Sequence, residues 1–310
     1  MVDLTIIIVS WNCRDDLGHC LRSLETSGTR ATVQTVVVDN DSGDDTVRMV
    51  TTDFPWVRII ANTENTGFAA ANNQAMRVTK SRLVMLLNPD TTVDEGTLDA
   101  MIAYLDSHEE VWAAGPLVLN SDRSVQVSGY RYPSLANLVW EALFLDRLFP
   151  HSRLLGSHKQ LYADPREIRA VDYVQGSALM VKRRAVEKVG ALDEQFFMYF
   201  EETDWCFRMR QEGGEIHHAP VGTVVHSGAG AFGHFDALRL KHYHRSLLRF
   251  FRKHYSFGAR AALRPILFAR SLIRIAMWSV ISVARPAGRR QALSIAWGYV
   301  NVLGILAGGT

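Results

Sequence analysis

Two acidic groups and one histidine in this chain have the types and spacing for chemistry. Asp90 stands in Asn88-Pro89-Asp90-Thr91, straight after the apolar run Leu83-Val84-Met85-Leu86-Leu87. Proline fixes its own φ and bars Asn88 from helix, so the backbone aims the carboxylate. Beyond the carboxyl end of a strand, such a group can hold a hard cation against a diphosphate. The same residues also read as a strand, a proline turn and an Asp helix cap. Further on, Glu201-Glu202-Thr203-Asp204 follows the aromatic run Phe196–Phe200 and precedes Trp205 and Arg208. Three carboxylates in four residues repel one another. Crowding beside apolar rings raises a carboxyl pKa and makes a general base. The acids also suit a helix N-terminus, with Asp204 and Arg208 as an i,i+4 pair. His226 ends a short apolar run and can bind a metal through a neutral ring nitrogen. With eleven histidines in the chain, a structural role stays open.

These groups need a scaffold, and the apolar runs supply one. Thr5–Val9, Thr35–Val38, Val57–Ile60 and Leu83–Leu87 read as buried strands. Helical stretches over Asp15–Leu24 and from Gly67 through Ala75 separate some of them. The alternation argues for βαβ units, an α/β fold with a largely parallel sheet. Polar clusters follow the strands: Ser10-Trp11-Asn12, Asp39-Asn40, Asn65–Gly67 and Asn88–Asp90. Strand ends converging on one edge can grip a nucleotide. Asp39 suits the imide N–H of uracil or thymine, or an Asx turn. Gly67 suits close approach of backbone to a ligand, or an ordinary turn. Val111–Leu119 and Ala178–Val181 are further strand candidates, and Arg184–Val189 reads as a helix ending at Gly190. Tyr130–Asp164, rich in aromatics, Leu and Pro, reads as helix or as a loop over the site. Thr223–Val225 is a last short strand before the glycine-rich Gly228–Gly233.

A length of 310 residues suits one large α/β domain with an appendage, or two small domains, and 47% hydrophobic residues supply a core. Cys13, Cys20 and Cys206 have neither pairing nor metal spacing and read as reduced cytosolic thiols. The N-terminus carries no basic leader, so no signal peptide is expected. The dinucleotide fingerprint, the P-loop and the G-x-S-x-G elbow are all missing, against dehydrogenases, P-loop NTPases and triad hydrolases. A nucleotidyltransferase would carry a glycine-rich basic loop after its first strand. Ser10–Leu17 has Arg14 and no glycine.

The net charge of +2 hides an asymmetry. From Asp236 onward there are thirteen lysines and arginines against Asp236 alone. On a helix of about 100° per residue, Arg260, Arg264, Arg270, Arg274 and Arg285 fall on one arc of about 120°, and the stretch also carries the apolar Ile266, Leu267, Leu272, Ile273, Met277, Trp278 and Ile281. Pro265 suits a helix start. Such a basic amphipathic helix suits an anionic membrane surface, or packs its basic face on the protein. Leu293–Ala307 is apolar but shorter than the ~20 residues of a spanning helix.

Thr5–Asn12 (TIIIVSWN), Val37–Ser42 (VVDNDS), Asn65–Asn73 (NTGFAAANN), Leu86–Thr91 (LLNPDT), Gly176–Val181 (GSALMV) and Val189–Arg208 together resemble the inverting glycosyltransferases of family 2. The likeness is greatest to bacterial rhamnosyltransferases of cell-wall and O-antigen polysaccharides. The resemblance implies a GT-A fold over residues 1–233, with a basic helical membrane-associating tail over 234–310. It implies a donor site of Ser10, Asn12, Asp39, Asn65, Gly67, Asn72, Asn88 and Asp90. Mg²⁺ or Mn²⁺ would sit on Asp90 and His226, with Asn88 in place of the family's first carboxylate. Glu202 falls where the family has its catalytic aspartate, and Glu201 and Asp204 are its neighbours for that role. The implied donor is dTDP-L-rhamnose, with UDP-hexose or UDP-galactofuranose as alternatives. The implied acceptor is a lipid-linked saccharide at the cytoplasmic face of the membrane, with no nucleic acid involved. A catalytically degenerate sugar-nucleotide-binding scaffold is the non-enzymatic alternative.

Overall fold

The computed structural model describes residues 2–228 and 237–308. The expected boundary at 233/234, and the glycine-rich stretch beyond Gly228, lie outside the described residues. The apolar runs form β1 (Val2–Ser10), β2 (Val33–Asp39), β3 (Arg58–Ala61) and β4 (Ser81–Leu87), parallel in the order β3-β2-β1-β4. Helices α1 (Arg14–Glu25), α2 (Thr46–Asp53) and α3 (Phe68–Arg77) connect them. Leu4, Ile6 and Ile8 of β1 pack with Leu17 and Leu21 of α1, while Ile7 packs with Val36 and with Ala71 and Ala75 of α3. Successive strand residues face opposite sides, so helices on both faces demand an unbroken apolar run.

Beyond β4 the sheet turns mixed. The chain continues through β5 (Thr91–Val93), α4 (Thr97–Ser107), β6 (Val111–Leu119) and the two-residue strands β7 (Val125–Gln126) and β8 (Gly129–Tyr130). The aromatic middle stretch holds α5 (Leu135–Ala142) and α6 (Leu145–Leu148). Then come β9 (Arg169–Ala170), β10 (Tyr173–Val174), β11 (Ala178–Lys182), α7 (Arg183–Val189), α8 (Glu201–Gln211) and β12 (Glu215–His226). The main sheet runs β3-β2-β1-β4-β11-β6-β12-β5, with β11 antiparallel to β4 and β6, and β5 antiparallel to β12; β7 adds to β6, β9 adds to β12, and β8 and β10 pair separately. The expected short strand at Thr223–Val225 is the end of the longer β12. Its register shifts between His218 and Thr223, where Pro220 cannot donate to a ladder. The pairing of β12 with β5 sets His226 opposite Thr91, next to Asp90.

The chain divides into two compact units. One comprises Met1–Tyr132, Ala163–Phe197 and Glu201–Ala231, and the other Pro133–Tyr162, Met198–Phe200 and Phe232–Thr310. The first holds the sheet. The second holds α5, α6, α9 (Ala237–His254), α10 (Phe257–Ala284) and α11 (Arg289–Ala307), so the middle stretch clusters with the tail. Ser256 caps α10, and Pro265 lies inside that helix instead of at its start. Pro265 and Ala261, whose carbonyl loses its partner there, are both on the exposed side.

The basic arc of α10 largely turns inward within the second unit. Arg270 pairs with the Glu141 carboxylate at 3.2 Å. Arg274 donates to the Glu141 carbonyl at 2.8 Å and lies 3.8 Å over the Phe144 ring. Arg264 donates to the carbonyl of Leu306 at 2.7 Å, a favourable cation at the end of α11. The outward stripe is apolar: Phe257, Phe268, Leu272, Ile273, Val280 and Val283 are exposed, as are Leu293, Trp297 and Val300 of α11. Ile273 thus matches the expected apolar face, whereas Leu267 is buried. Among the described residues, α10 alone is long and apolar enough to cross a membrane, by length and composition.

Candidate active site

Parallel register puts the polar clusters on one edge. Ser10 lies beside Asp39, and Ile8 beside Leu87, so the residues after β1, β2 and β4 leave the sheet together. Asn88 is anchored by its N–H to the Ser177 carbonyl at 2.9 Å, and its own carbonyl accepts from Thr91 Oγ1 at 2.7 Å. Asp90 Oδ1 and His226 Nε2 stand 3.2 Å apart, with side chains 7% and 10% exposed. Asn88 Nδ2 is 3.3 Å from the same ring nitrogen. The structure therefore brings together Asn88, Asp90 and His226, whose positions are far apart in sequence. It adds Gln126, whose Oε1 is 2.7 Å from His226 Nδ1. Gln126 carried no sequence signal, because its two-residue strand reaches the site only through the β6–β7 hairpin.

This donor set suits a divalent cation. Gln126 Oε1 can only accept, so Nδ1 carries a proton and donates it. Nε2 is then the ring atom that faces Asp90 Oδ1, beside Asn88 Nδ2, and a ring nitrogen and a carboxylate oxygen at that spacing can share a divalent cation. Carboxylate and imidazole are common ligands of divalent ions, and a ring nitrogen held by an acceptor is the usual support for such a ligand. Asp16, which the sequence did not single out, adds negative charge. Its carboxyl is pushed up by partial burial and by the charge of Asp90.

At the neighbouring strand end, the two carboxylate oxygens of Asp39 differ. Its Oδ2 accepts the Ser42 N–H at 2.9 Å, an Asx-type turn, while its buried Oδ1 has no hydrogen-bond partner among the described residues. An orphaned buried acceptor is costly and fits an imide N–H. Ser10 is fully buried, its Oγ 3.3 Å from Cys13 Sγ. Asn12, at a left-handed φ of 49°, receives Gly43 N–H at 2.8 Å and gives its own N–H to Ser42. Its side chain thus shapes the loop after β2. Asn65 Oδ1 accepts the Gly67 N–H at 3.0 Å. The close approach at Gly67 is made by the chain itself: with φ 85°, a Cβ there would lie 2.6 Å from the Phe197 carbonyl oxygen. Asn72 is buried in α3, its Nδ2 on the Phe68 carbonyl at 2.8 Å and its Oδ1 unpartnered among the described residues.

The acidic cluster opens α8. Just before it, Tyr199 and Phe200 take left-handed φ values of 67° and 69°, a strained turn for two aromatic residues. Glu201 and Glu202 are both buried, and Glu201 Oε2 has no partner among the described residues. Burial pushes the Glu202 carboxyl up to about 7, and burial with the charge of Glu202 raises Glu201 well above the usual range. Gly176 lies against the Glu202 side chain and the Phe68 ring, where a Cβ would meet both at van der Waals distance. Asp204 stands apart. It is fully buried and bound to Arg208 at 2.8 Å, and Arg208 also holds the Val189 and Ala191 carbonyls. That latch ties α8 to the turn after α7 and engages the Asp204 carboxylate in an ion pair, unlike those of Glu201 and Glu202.

A mostly parallel sheet flanked by helices, with its polar strand ends on one edge, is the α/β architecture of the GT-A fold. Solved structures share the fold. A mannosyltransferase from Pyrobaculum calidifontis, in complex with GDP-Man and Mn²⁺, aligns over 99% of this chain and 76% of its own at TM-score 0.55 and 18% identity. GalNAc-T7 with UDP, GalNAc and Mn²⁺ aligns over 73% of this chain and 43% of its own at TM-score 0.56 and 15% identity. The family model for glycosyl transferase family 2 matches residues 5–162. The chain belongs to glycosyltransferase family 2. It is 28% identical to the N-acetylglucosaminyl-diphospho-decaprenol L-rhamnosyltransferase of Mycobacterium tuberculosis, over 94% of this chain and 97% of that one. It is 26% identical to the rhamnosyltransferase WbbL of Escherichia coli, over 52% and 60%.

Proposed function

We propose that this glycosyltransferase moves L-rhamnose from dTDP-L-rhamnose to a lipid-linked saccharide, with inversion at the anomeric carbon. The buried Glu201–Glu202 pair carries the reading, because a carboxyl near 7 is matched to proton abstraction at neutral pH. The rhamnosyl donor and an acceptor of the N-acetylglucosaminyl-diphospho-polyprenol type are supported by the Mycobacterium tuberculosis relative, which aligns along nearly the whole chain.

Glu202 takes the proton of the acceptor hydroxyl as its oxygen attacks the anomeric carbon, while the bond to the diphosphate breaks. One displacement without a covalent intermediate inverts the centre. Glu201 stays protonated beside Glu202 and keeps the base from facing a second full charge. Asp39 Oδ1 receives the imide N–H of the nucleobase. Asp90 and His226 would hold Mg²⁺ or Mn²⁺, with Asn88 beside them; when bound, the ion neutralises the departing diphosphate as a Lewis acid.

The second unit supports association with the cytoplasmic face of a membrane. Its exposed stripe on α10 and α11 is apolar, and Arg285, Arg289 and Arg290 at the bend between them are exposed to anionic headgroups. Spanning the bilayer would strip Arg270 and Arg274 from Glu141, so the helices lie in the interface. Incubation of the full chain with dTDP-L-rhamnose and N-acetylglucosaminyl-diphospho-polyprenol, with Mn²⁺ or with chelator, tests the function. Metal-dependent rhamnosyl product is expected. Transfer from a UDP-hexose or UDP-galactofuranose alone would overturn the donor, and no turnover with any donor would overturn the enzymatic reading.

A further inference from the structure

The hairpin of β6 and β7 carries a run of hydrogen bonds with one direction. It starts at Asp122, an exposed carboxylate whose pKa is held down by the bonds it receives from Ser124, so it only accepts. Ser124 gives Asp122 both its N–H, at 2.9 Å, and its hydroxyl proton. With that proton committed, Ser124 Oγ accepts from Asn120 Nδ2 at 2.9 Å. Asn120 must then turn Oδ1 to Gln126, and it accepts from Gln126 Nε2 at 2.9 Å. Gln126 is left with Oε1 toward His226 Nδ1 at 2.7 Å. Each amide has one allowed orientation, because each has a donor-only face and an acceptor-only face. The hairpin closes this run within seven residues, with Arg123 in the left-handed turn conformation at φ 63°.

We infer that Gln126, oriented by the Asn120–Ser124–Asp122 relay, is a positioning residue that fixes the His226 proton on Nδ1 and keeps Nε2 open toward Asp90. The inference rests on the metal-site reading above and adds to it the group that makes His226 a competent ligand. Without an acceptor at Nδ1, the neutral ring is free to carry its proton on Nε2, facing Asp90 Oδ1 at 3.2 Å. That tautomer hydrogen-bonds to the carboxylate and excludes the ion. Outer partners of this kind change metal affinity by about 10–100-fold.

The test compares Gln126→Leu with Gln126→Glu in the full chain. Leucine removes the acceptor, and glutamate keeps one. Long-range ¹H–¹⁵N spectra of histidine-labelled protein, assigned for His226 by difference against His226→Gln, read the tautomer without any metal. Mn²⁺ titration followed by electron paramagnetic resonance reads affinity. The wild type and Gln126→Glu should show the Nδ1–H form, and Gln126→Leu should shift toward Nε2–H and lose about 10–100-fold in Mn²⁺ affinity. Gln126→Leu with an unchanged tautomer would overturn the inference. His226→Ala separates the two ideas: if it leaves Mn²⁺ affinity intact, the metal reading fails, while the spectra still decide the relay.

Discussion

Replacing Glu202 by Gln should make the protein more stable and almost inactive at the same time. The Glu202 carboxyl is raised from 4.5 to about 7, chiefly by burial. At 1.36 kcal/mol per unit, that shift corresponds to about 3 kcal/mol of destabilisation once the group is ionised in both states. The sign follows from proton binding. Between pH 4.5 and about 7 the unfolded chain has lost this proton and the folded chain retains it, so stability falls as pH rises through that window. Glutamine removes the penalty and also the charge that raises Glu201. Urea unfolding should therefore show Glu202→Gln more stable than wild type by up to about 3 kcal/mol at pH 8, with the gain fading as pH falls toward 4.5. Turnover should drop by at least ~10²-fold, the scale of a lost general base. In the wild type, kcat/KM should rise with pH along a limb near 7, and Glu202→Asp should keep a limb. A pH-independent stability change would refute the burial argument. Wild-type turnover in Glu202→Gln would move the base to Glu201.

Asp90→Ala should remove Mn²⁺-dependent binding of thymidine diphosphate in calorimetry; unchanged affinity would sink the metal role. Gly67→Ala must place a Cβ 2.6 Å from a carbonyl oxygen at φ 85°. It should destabilise the fold by about 2 kcal/mol or more in urea unfolding, and a neutral result would mean the contact yields easily. Val280→Glu with Val283→Glu places two charges on the exposed stripe of α10 and should abolish co-sedimentation with anionic vesicles. Retained sedimentation would refute the lipid-facing stripe.

The first four strands could be read from sequence because each is buried on both faces, which requires an unbroken apolar run. Direction is not encoded in such a run. Ala178–Lys182 looks like any buried strand, yet it inserts antiparallel between β4 and β6. That insertion, together with the antiparallel β5–β12 pair, separates a simple parallel sheet from this one and carries His226 to Asp90. The residues with the chemistry were legible by type and by their place after strands. Their supports were not: Gln126 lies one hundred positions from His226, and Arg208 binds carbonyls of the turn after α7, whose positions no side-chain pattern records.

The tail shows the limit of a helical wheel. Periodicity places five arginines on one arc but does not say which arc meets solvent. The answer depends on Glu141, in a stretch that reads equally as helix or loop, and on the carbonyl end of α11. Once those acceptors engage Arg264, Arg270 and Arg274, the apolar arc is left outside. The consequence for binding differs from that of a basic surface. Charge attraction weakens with ionic strength because the screening length falls from about 10 Å at 0.1 M to about 3 Å at 1 M, whereas apolar burial does not weaken. Vesicle binding through this stripe should therefore persist in high salt, and the exposed Arg285, Arg289 and Arg290 should mainly set how fast the protein finds an anionic leaflet. Release by 1 M salt alone would return the arginines to the membrane and the apolar stripe to another contact.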